Sequence, residues 1–380
     1  MIYSLRRFVF SVLSLFLLAG APGLATAGEM IAQSTPRQRV EVAFVLDTTS
    51  SMTWLIEGAK KKIWSIANAI VDQNPDAELY FGLIGYRDIG DDYVTKKFPL
   101  TTDLQGIYAS LLSFDADQGG DTPESVNEAL DVAVNQLGWS DKGQEQDSTR
   151  RILFLVGDAP PHMDYAQDRK YPEIIREAVA RGIVINTVQA GNWRVTEKVW
   201  REMARLGNGD YHAIPQDGGQ VVVIVTPFDI RVREIQIELN KTVIPYGSRM
   251  EQREVESKTR QYEAEPAAAE ISSFVNKSGK GGKVITGGGD LVDAVRSGKA
   301  RLDEISTEKL PPAMQKMSVA EREKYVADRY AEREELSGEL SRIVARRDAY
   351  LKEQDAGKSV KADSFDRAVK ETLKKQAGAK

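Results

Sequence analysis

Residues Val40–Ser51 read VEVAFVLDTTSS. The run VEVAFVL is valine-rich, carries one acid and stops at Asp47, after which four small hydroxylated residues follow. A short, nearly continuous apolar run bounded by turn residues is the pattern of a strand buried on both faces, as in a parallel sheet. Beyond it, Met52, Leu55, Ile56, Ala59, Ile63, Ala67 and Ile70 recur at three- and four-residue intervals, which predicts an amphipathic helix ending near Asn74-Pro75. The alternation continues outward. Strands are expected at Leu79–Tyr86, at the more polar edge run Tyr93–Leu100, and at Ile152–Val156, Ile183–Val188 and Tyr211–Ile214. Helices are expected at Leu104–Phe114, Glu124–Leu137, Ile174–Ala180 and Thr196–Leu206. Alternation of this kind means an α/β, Rossmann-like, doubly wound and mostly parallel sheet with helices on both faces. Ligands of such sheets sit at the carboxyl ends of the strands, where strand order reverses.

Three loops fall at those ends. The first strand runs into Asp47-Thr48-Thr49-Ser50-Ser51, a D-x-T-x-S pattern. The helix expected at Glu124 is preceded by Gly119-Gly120-Asp121-Thr122-Pro123, and the ILFLV strand is followed by Gly157-Asp158-Ala159-Pro160. Asp47 and Thr49 would also serve as caps of the helix that follows, but capping requires neither Thr122 nor Asp158. Hydroxyl and carboxylate oxygens are hard ligands that suit Mg²⁺, with Mn²⁺ as the alternative ion.

These residues resemble the von Willebrand factor A (vWA) domain, over about residues 38–217. That family's metal-ion-dependent adhesion site (MIDAS) combines D-x-[ST]-x-S, a distant Thr and an Asp after the fourth strand. The resemblance maps it onto Asp47, Thr49, Ser51, Thr122 and Asp158. It implies that the hydroxyls bind the ion directly and that the two aspartates act largely through bound water. An open metal position would then be filled by an acidic residue of a partner protein. Thr49 stands where Ser is commoner in the family, which keeps the hydroxyl. GYRD at 85–88 and GDAPPH at 157–162 look like the bacterial and hemicentin-like branch. By loop position, Arg87, Asp88, Asp121 and His162 are candidates for the rim that selects the partner; a structural role for Arg87 and Asp88 is an equal alternative.

Composition narrows the function classes. The 380 residues include no Cys and two His, with Lys+Arg 51 against Asp+Glu 56. Disulfide frameworks, thiol nucleophiles and Cys-based zinc sites are therefore excluded, and a net charge of −5 argues against a nucleic-acid partner. Arg6 and Arg7 precede the apolar run Phe8–Leu18, then Gly20, Pro22 and Gly23, then Ala25-Thr26-Ala27. This is the layout of a signal peptide cleaved after Ala27, since the run is well short of the ~20 residues a membrane span needs. The expectation is an exported chain, periplasmic or extracellular, with no transmembrane segment after cleavage.

The second half differs. Residues 218–247 hold Val221–Val225, Val232, Ile235 and Leu239, read as an extension packed on the sheet. Residues 248–300, rich in Glu and Ala with glycine clusters at 279–282 and 287–289, read as linker. SGKGGK at 278–283 lacks the spacing of a phosphate loop. Residues 301–380 carry 18 Lys+Arg and 16 Asp+Glu, a mixed, solvating balance. There, Ser318-Val319-Ala320-Glu321 is a capping box opening a long helix to about Glu353. Its stripe of Val326, Tyr330, Leu336, Leu340, Ile343, Val344, Tyr350 and Leu351 would pack in a helix hairpin with Phe365–Leu373 or on the A domain, or else bind a partner or make an oligomer through the C-terminal helices.

Taken together, the expectation is a Mg²⁺-dependent protein-binding module without catalysis. Two alternatives remain. A metal-dependent hydrolase or phosphotransferase would use the same ion, but no His base pattern, second metal cluster or phosphate loop accompanies it. An envelope scaffold would act through the C-terminal helices instead.

Overall fold

The computed structural model describes residues 38–120, 122–143, 148–216, 225–264, 268–278, 286, 288–356 and 365–377. The signal-peptide reading, Asp121 and the glycine cluster at 279–282 lie outside the described residues.

The first half alternates as its periodicity dictates. In order come β1 (Arg39–Asp47), α1 (Thr53–Gln73), β2 (Glu78–Tyr86), β3 (Thr95–Thr101), α2 (Leu104–Leu112), α3 (Val126–Gln136), β4 (Arg150–Gly157), α4 (Tyr171–Ala180), β5 (Ile183–Ala190), α5 (Arg194–Leu206) and β6 (Asn208–Ile214). The sheet order is β3-β2-β1-β4-β5-β6, parallel throughout except for the polar edge strand β3. Strand order therefore reverses between β1 and β4, and the carboxyl ends of these two central strands flank the crevice in which ligands of doubly wound sheets bind. β1 shows why it reads as a continuous apolar run. Val40, Val42, Phe44 and Leu46 face one core with α1 and α2, while Ala43 and Val45 face the other with α3, α4 and α5.

The helical half comprises α6 (Asp229–Lys241), α7 (Arg249–Ala264), α8 (Ala268–Ser278), α9 (Leu291–Arg296), α10 (Val319–Ala356) and α11 (Phe365–Gln376). Three of these helices occupy the stretch that reads as linker. α8 closes on α1, with Phe274 edge-on to Trp64 at 5.8 Å and Asn68 Nδ2 donating to the Glu270 carbonyl at 2.9 Å. α6, expected against the sheet, buries Val232, Ile235 and Leu239 mainly under Leu340 and Val344 of α10. The stripe of α10 is thus covered in part within the chain. Ser318 and Glu321 form the expected capping box, Ser318 N donating to Glu321 Oε2 at 2.7 Å. The 38 residues of α10 extend about 57 Å at 1.5 Å per residue.

α11 packs on the sheet, one of the two destinations open to its apolar stripe. Phe365, Ala368, Val369, Leu373 and Ala377 are buried in the same core as β1 and α1, and Phe365 lies 6.2 Å from Phe44. Polar contacts fasten it: His212 Nε2 and Thr372 Oγ1 at 2.7 Å, Gln376 Nε2 to Asn186 Oδ1 at 2.7 Å, and Lys370 Nζ to Ser65 Oγ at 2.8 Å. The last helix of the chain therefore covers a sheet built some 150 to 300 residues earlier, and residues 37–380 form one compact unit.

Candidate metal centre

β1 ends by burying Asp47 completely. The next residues turn back on its carboxylate: Oδ1 accepts from Thr49 N at 2.9 Å and from Thr49 Oγ1 at 2.6 Å. Thr49 Oγ1 is in turn 3.2 Å from Ser51 Oγ. Ser50–Met52 form one 3-10 turn leading into α1, and neither Thr49 nor Met52 caps with its side chain. The hydroxyls of Thr49 and Ser51 are thus kept beside the carboxylate, and helix capping does not explain them.

β4 brings the second acid. Gly157 passes so close that an added Cβ would lie 2.4 Å from the Tyr86 hydroxyl and 3.1 Å from Asp47 Cβ. Only glycine lets Asp158 emerge beside Asp47. The third loop folds down on the first, with Ser50 N donating to the Gln118 carbonyl at 3.0 Å. Gly119 sits at φ +94°, a backbone conformation that favours glycine, and an added Cβ would press on Thr49 Cβ at 3.1 Å. Thr49, Ser51, Gly119, Thr122, Glu124 and Asp158 consequently line one cavity of about 420 Å³ at the crevice, with Ala190, Asn192, Trp193 and Gln216 from the ends of β5 and β6. Four of the five expected ligands line it directly, and Asp47 lies beneath them in contact with Thr49.

Sequence reasoning misses Glu124, which reads as the first residue of a helix. α3 begins only at Val126, so Glu124 belongs to the loop, where it is 3% exposed and lines the cavity. Gln216 is missed as well; its Nε2 donates to Asp158 Oδ2 at 2.6 Å and to the Ser51 carbonyl at 3.3 Å. No local pattern marks it, because its relevance comes from the position of β6.

The electrostatics are uncompensated. Asp47 Oδ2 and Glu124 Oε2 are buried without a hydrogen-bond partner. Burial, then repulsion from Asp158, push the Asp47 carboxyl up from 3.8 to about 7, against the lowering effect of hydrogen bonding from Thr49 and from the Asp158 backbone. Burial, then Asp47, Asp88, Asp91 and Asp158, push Glu124 up from 4.5 to about 9. Among the described residues no cluster of three His, Cys, Asp or Glu side chains is arranged as a metal site. The donor set is instead carboxylates mixed with the hydroxyls of Thr49, Ser51 and Thr122, a hard oxygen set that fits Mg²⁺.

The rim candidates are placed differently. Arg87, Asp88 and His162 are only 4%, 4% and 5% exposed. Arg87 donates to the Thr48 carbonyl at 3.2 Å, the Asp115 carbonyl at 2.8 Å and Gln118 Oε1 at 2.9 Å, stitching the first and third loops together. Asp88 accepts from Ser125 Oγ at 2.6 Å and from the Tyr165 hydroxyl at 2.7 Å. His162 stacks on the Tyr165 ring at 3.9 Å and pairs with Asp164 at 2.8 Å. These three side chains brace the loops from behind. A guanidinium with three carbonyl-type acceptors below it is drawn inward, although its loop position suggests the surface.

Residues 41–226 match the family model described as von Willebrand factor A domain. No curated protein matches the chain. Among solved structures, the chain is similar to an aerotolerance-related membrane protein from Bacteroides fragilis carrying multiple mutations to serines. Identity is 20% and the TM-score 0.32, over 47% of this chain and 92% of that one. It is also similar to the VWA domain of SpRpn10, at 14% identity and TM-score 0.34, over 47% of this chain and 89% of that one. The sheet half thus has a VWA-like fold, followed by a helical C-terminal region.

Proposed function

We propose that the protein is an exported, Mg²⁺-dependent protein-binding module that captures a partner's carboxylate at Asp47, Thr49, Ser51, Thr122 and Asp158. VWA domains are generally protein-interaction modules. The observation that carries the metal dependence is the buried, unpartnered Oδ2 of Asp47 beneath three hydroxyl-bearing side chains. A buried carboxylate left in this state is costly, and a divalent cation above it removes the cost. The hydroxyls of Thr49, Ser51 and Thr122 would hold Mg²⁺, and Mn²⁺ suits the same oxygens. Asp47 and Asp158 would orient the ligands around the ion, and Glu124 is a further carboxyl lining the cavity on the α3 side. When bound, the ion supplies an electrophilic centre whose open position favours an anionic oxygen.

Binding without catalysis is the reading we adopt. Neither histidine lines the cavity: His162 faces Asp164 and Tyr165, and His212 faces Thr372. The test is affinity capture from an envelope extract on the immobilised full chain, in Mg²⁺ and in EDTA. Partners should be retained only with Mg²⁺, and Thr122→Ala should lose them. Equal capture in EDTA and by Thr122→Ala would sink the reading and favour the helical half as the binding surface.

A further inference from the structure

The mouth of this cavity has two chemically different flanks. On the β5 side stands Trp193, 42% exposed, on a backbone held in place by Gln189 Nε2 and Glu197 N, which both donate to its carbonyl at 2.9 Å. Trp54, 70% exposed, follows Ser51 by three residues across the junction of the 3-10 turn and α1, a spacing that puts the two on one side of the helix start. The other three tryptophans are buried, Trp64 and Trp200 at 0% and Trp139 at 6%. Exposed indoles next to a ligand site are the residue type that anchors protein interfaces.

The β2 side is acidic. Asp115 and Asp117 are exposed, and the side chain of Asp92 is 72% exposed. Their loops are fixed to the site. Asp117 N donates to the Thr48 carbonyl at 3.2 Å, and Gln118 Oε1 accepts from Asp92 N at 2.7 Å. Arg87 is the guanidinium among them; it lies beneath and reaches Asp92 at 3.8 Å. Above that buried cation the exposed acids outnumber the one exposed ammonium beside them among the described residues, Lys96, whose Nζ lies 5.9 Å from the Phe114 ring, and Asp92 and Asp117 favour a positive side chain.

The sheet sets the distance between the flanks. β2 and β5 stand three strand spacings apart with β1 and β4 between them, or about 14 Å at ~4.8 Å per spacing. An extended segment covers that distance in about four residues at ~3.3 Å each. Alternate residues of such a segment point the same way, so side chains at i−2, i and i+2 would reach one flank, the ion and the other flank.

We propose that the site selects an extended acidic motif: an Asp or Glu with an apolar side chain two residues to one side and a Lys or Arg two residues to the other. The inference rests on the metal-dependent capture proposed above. The acid occupies the ion, the apolar side chain packs on Trp193 and Trp54, and the basic one pairs with Asp92 and Asp117.

Selection of phage-displayed random 12-residue peptides on the immobilised full chain in Mg²⁺, with elution by EDTA, tests it. The eluted peptides should share the apolar-x-acid-x-basic pattern in either direction. A selected peptide should bind Trp193→Ala or Trp54→Ala about tenfold more weakly. Asp92→Asn with Asp117→Asn should weaken it about threefold at low salt and negligibly at high salt. The Trp54→Ala and Asp92→Asn proteins should keep Mg²⁺ affinity within about twofold by calorimetry, because exposed groups at this distance are largely screened. EDTA-eluted peptides that carry an acid with random neighbours, or the same peptides selected by the flank variants, overturn the motif and leave carboxylate capture standing. Peptides that lack an acid, or no EDTA-eluted peptides at all, overturn both.

Discussion

Buried carboxylates occur in both halves of the molecule, and they are treated differently. In the helical half the buried Asp290 and the half-buried Asp229, Glu270 and Asp293 each meet a guanidinium. Arg347, itself buried, reaches Asp229 at 2.8 Å and Glu270 at 2.7 Å, and Arg333 reaches Asp290 at 2.7 Å and Asp293 at 2.9 Å. At the carboxyl ends of β1 and β4, Asp47 and Glu124 each keep a buried oxygen without a partner, and the charges that most raise them are other acids. One region carries its own counter-charge and is finished by folding. The other leaves buried acids beside hydroxyls with no counter-charge among the described residues, the arrangement that the cation proposed above would complete.

The comparison can be broken first at the joint between the halves. A chain ending at Ala356 lacks α11 and with it Phe365, Val369 and Leu373 from the sheet's own core. Each such side chain is worth ~1.5–3 kcal/mol when buried. The shortened protein should therefore lose cooperative thermal unfolding by circular dichroism. Unaltered melting would show that α11 adds nothing to the sheet's core. A smaller effect is expected at Arg347. Arg347→Met leaves two partly buried acids unpaired and should cost about 2–3 kcal/mol in urea unfolding. Mg²⁺ should not restore it, since those acids belong to the finished region.

The unfinished region should declare itself through pH. Unfolded Asp and Glu ionise near pH 4, whereas folded Asp47 and Glu124 hold their protons to about 7 and about 9. Between these limits the unfolded chain binds fewer protons, so stability in EDTA falls as pH rises. Urea unfolding at pH 5.5 and 8.5 should show a loss on the order of 3 kcal/mol, given ~1.4 kcal/mol for each tenfold change in proton affinity and some relaxation of the loops. Saturating Mg²⁺ should flatten the profile, and Asp47→Asn should remove part of the slope without metal. A stability that rises with pH in EDTA would contradict the assignment.

What is legible in the sequence follows the same division. Residues 40–51 disclose a doubly buried strand and a hydroxyl-rich turn because both signals are local. Asp158 and Thr122 stand out because each abuts a strand or helix signal. Glu124 does not, since an acid after Thr-Pro reads as a helix start, and only the loop running on to Ser125 puts it in the cavity. Arg87 and His162 read as rim because loops usually lie outside, whereas carbonyls and a tyrosine ring draw them in. The apolar stripe of α11 reports that one face is buried but carries no address, and its destination is a sheet assembled from the opposite end of the chain. Residues 249–278 read as linker because their charge hides the few apolar anchors, Val255, Ile271 and Phe274, that dock them.

The most direct test is calorimetric titration of Mg²⁺ into the full chain and into its Asp47→Asn counterpart, which keeps the shape of the buried side chain and removes its charge. The account predicts one ion per chain for the wild type, with binding about 100-fold weaker in Asp47→Asn although that protein is the more stable of the two in EDTA. Equal Mg²⁺ affinity in the two proteins, or no binding to either, would contradict it.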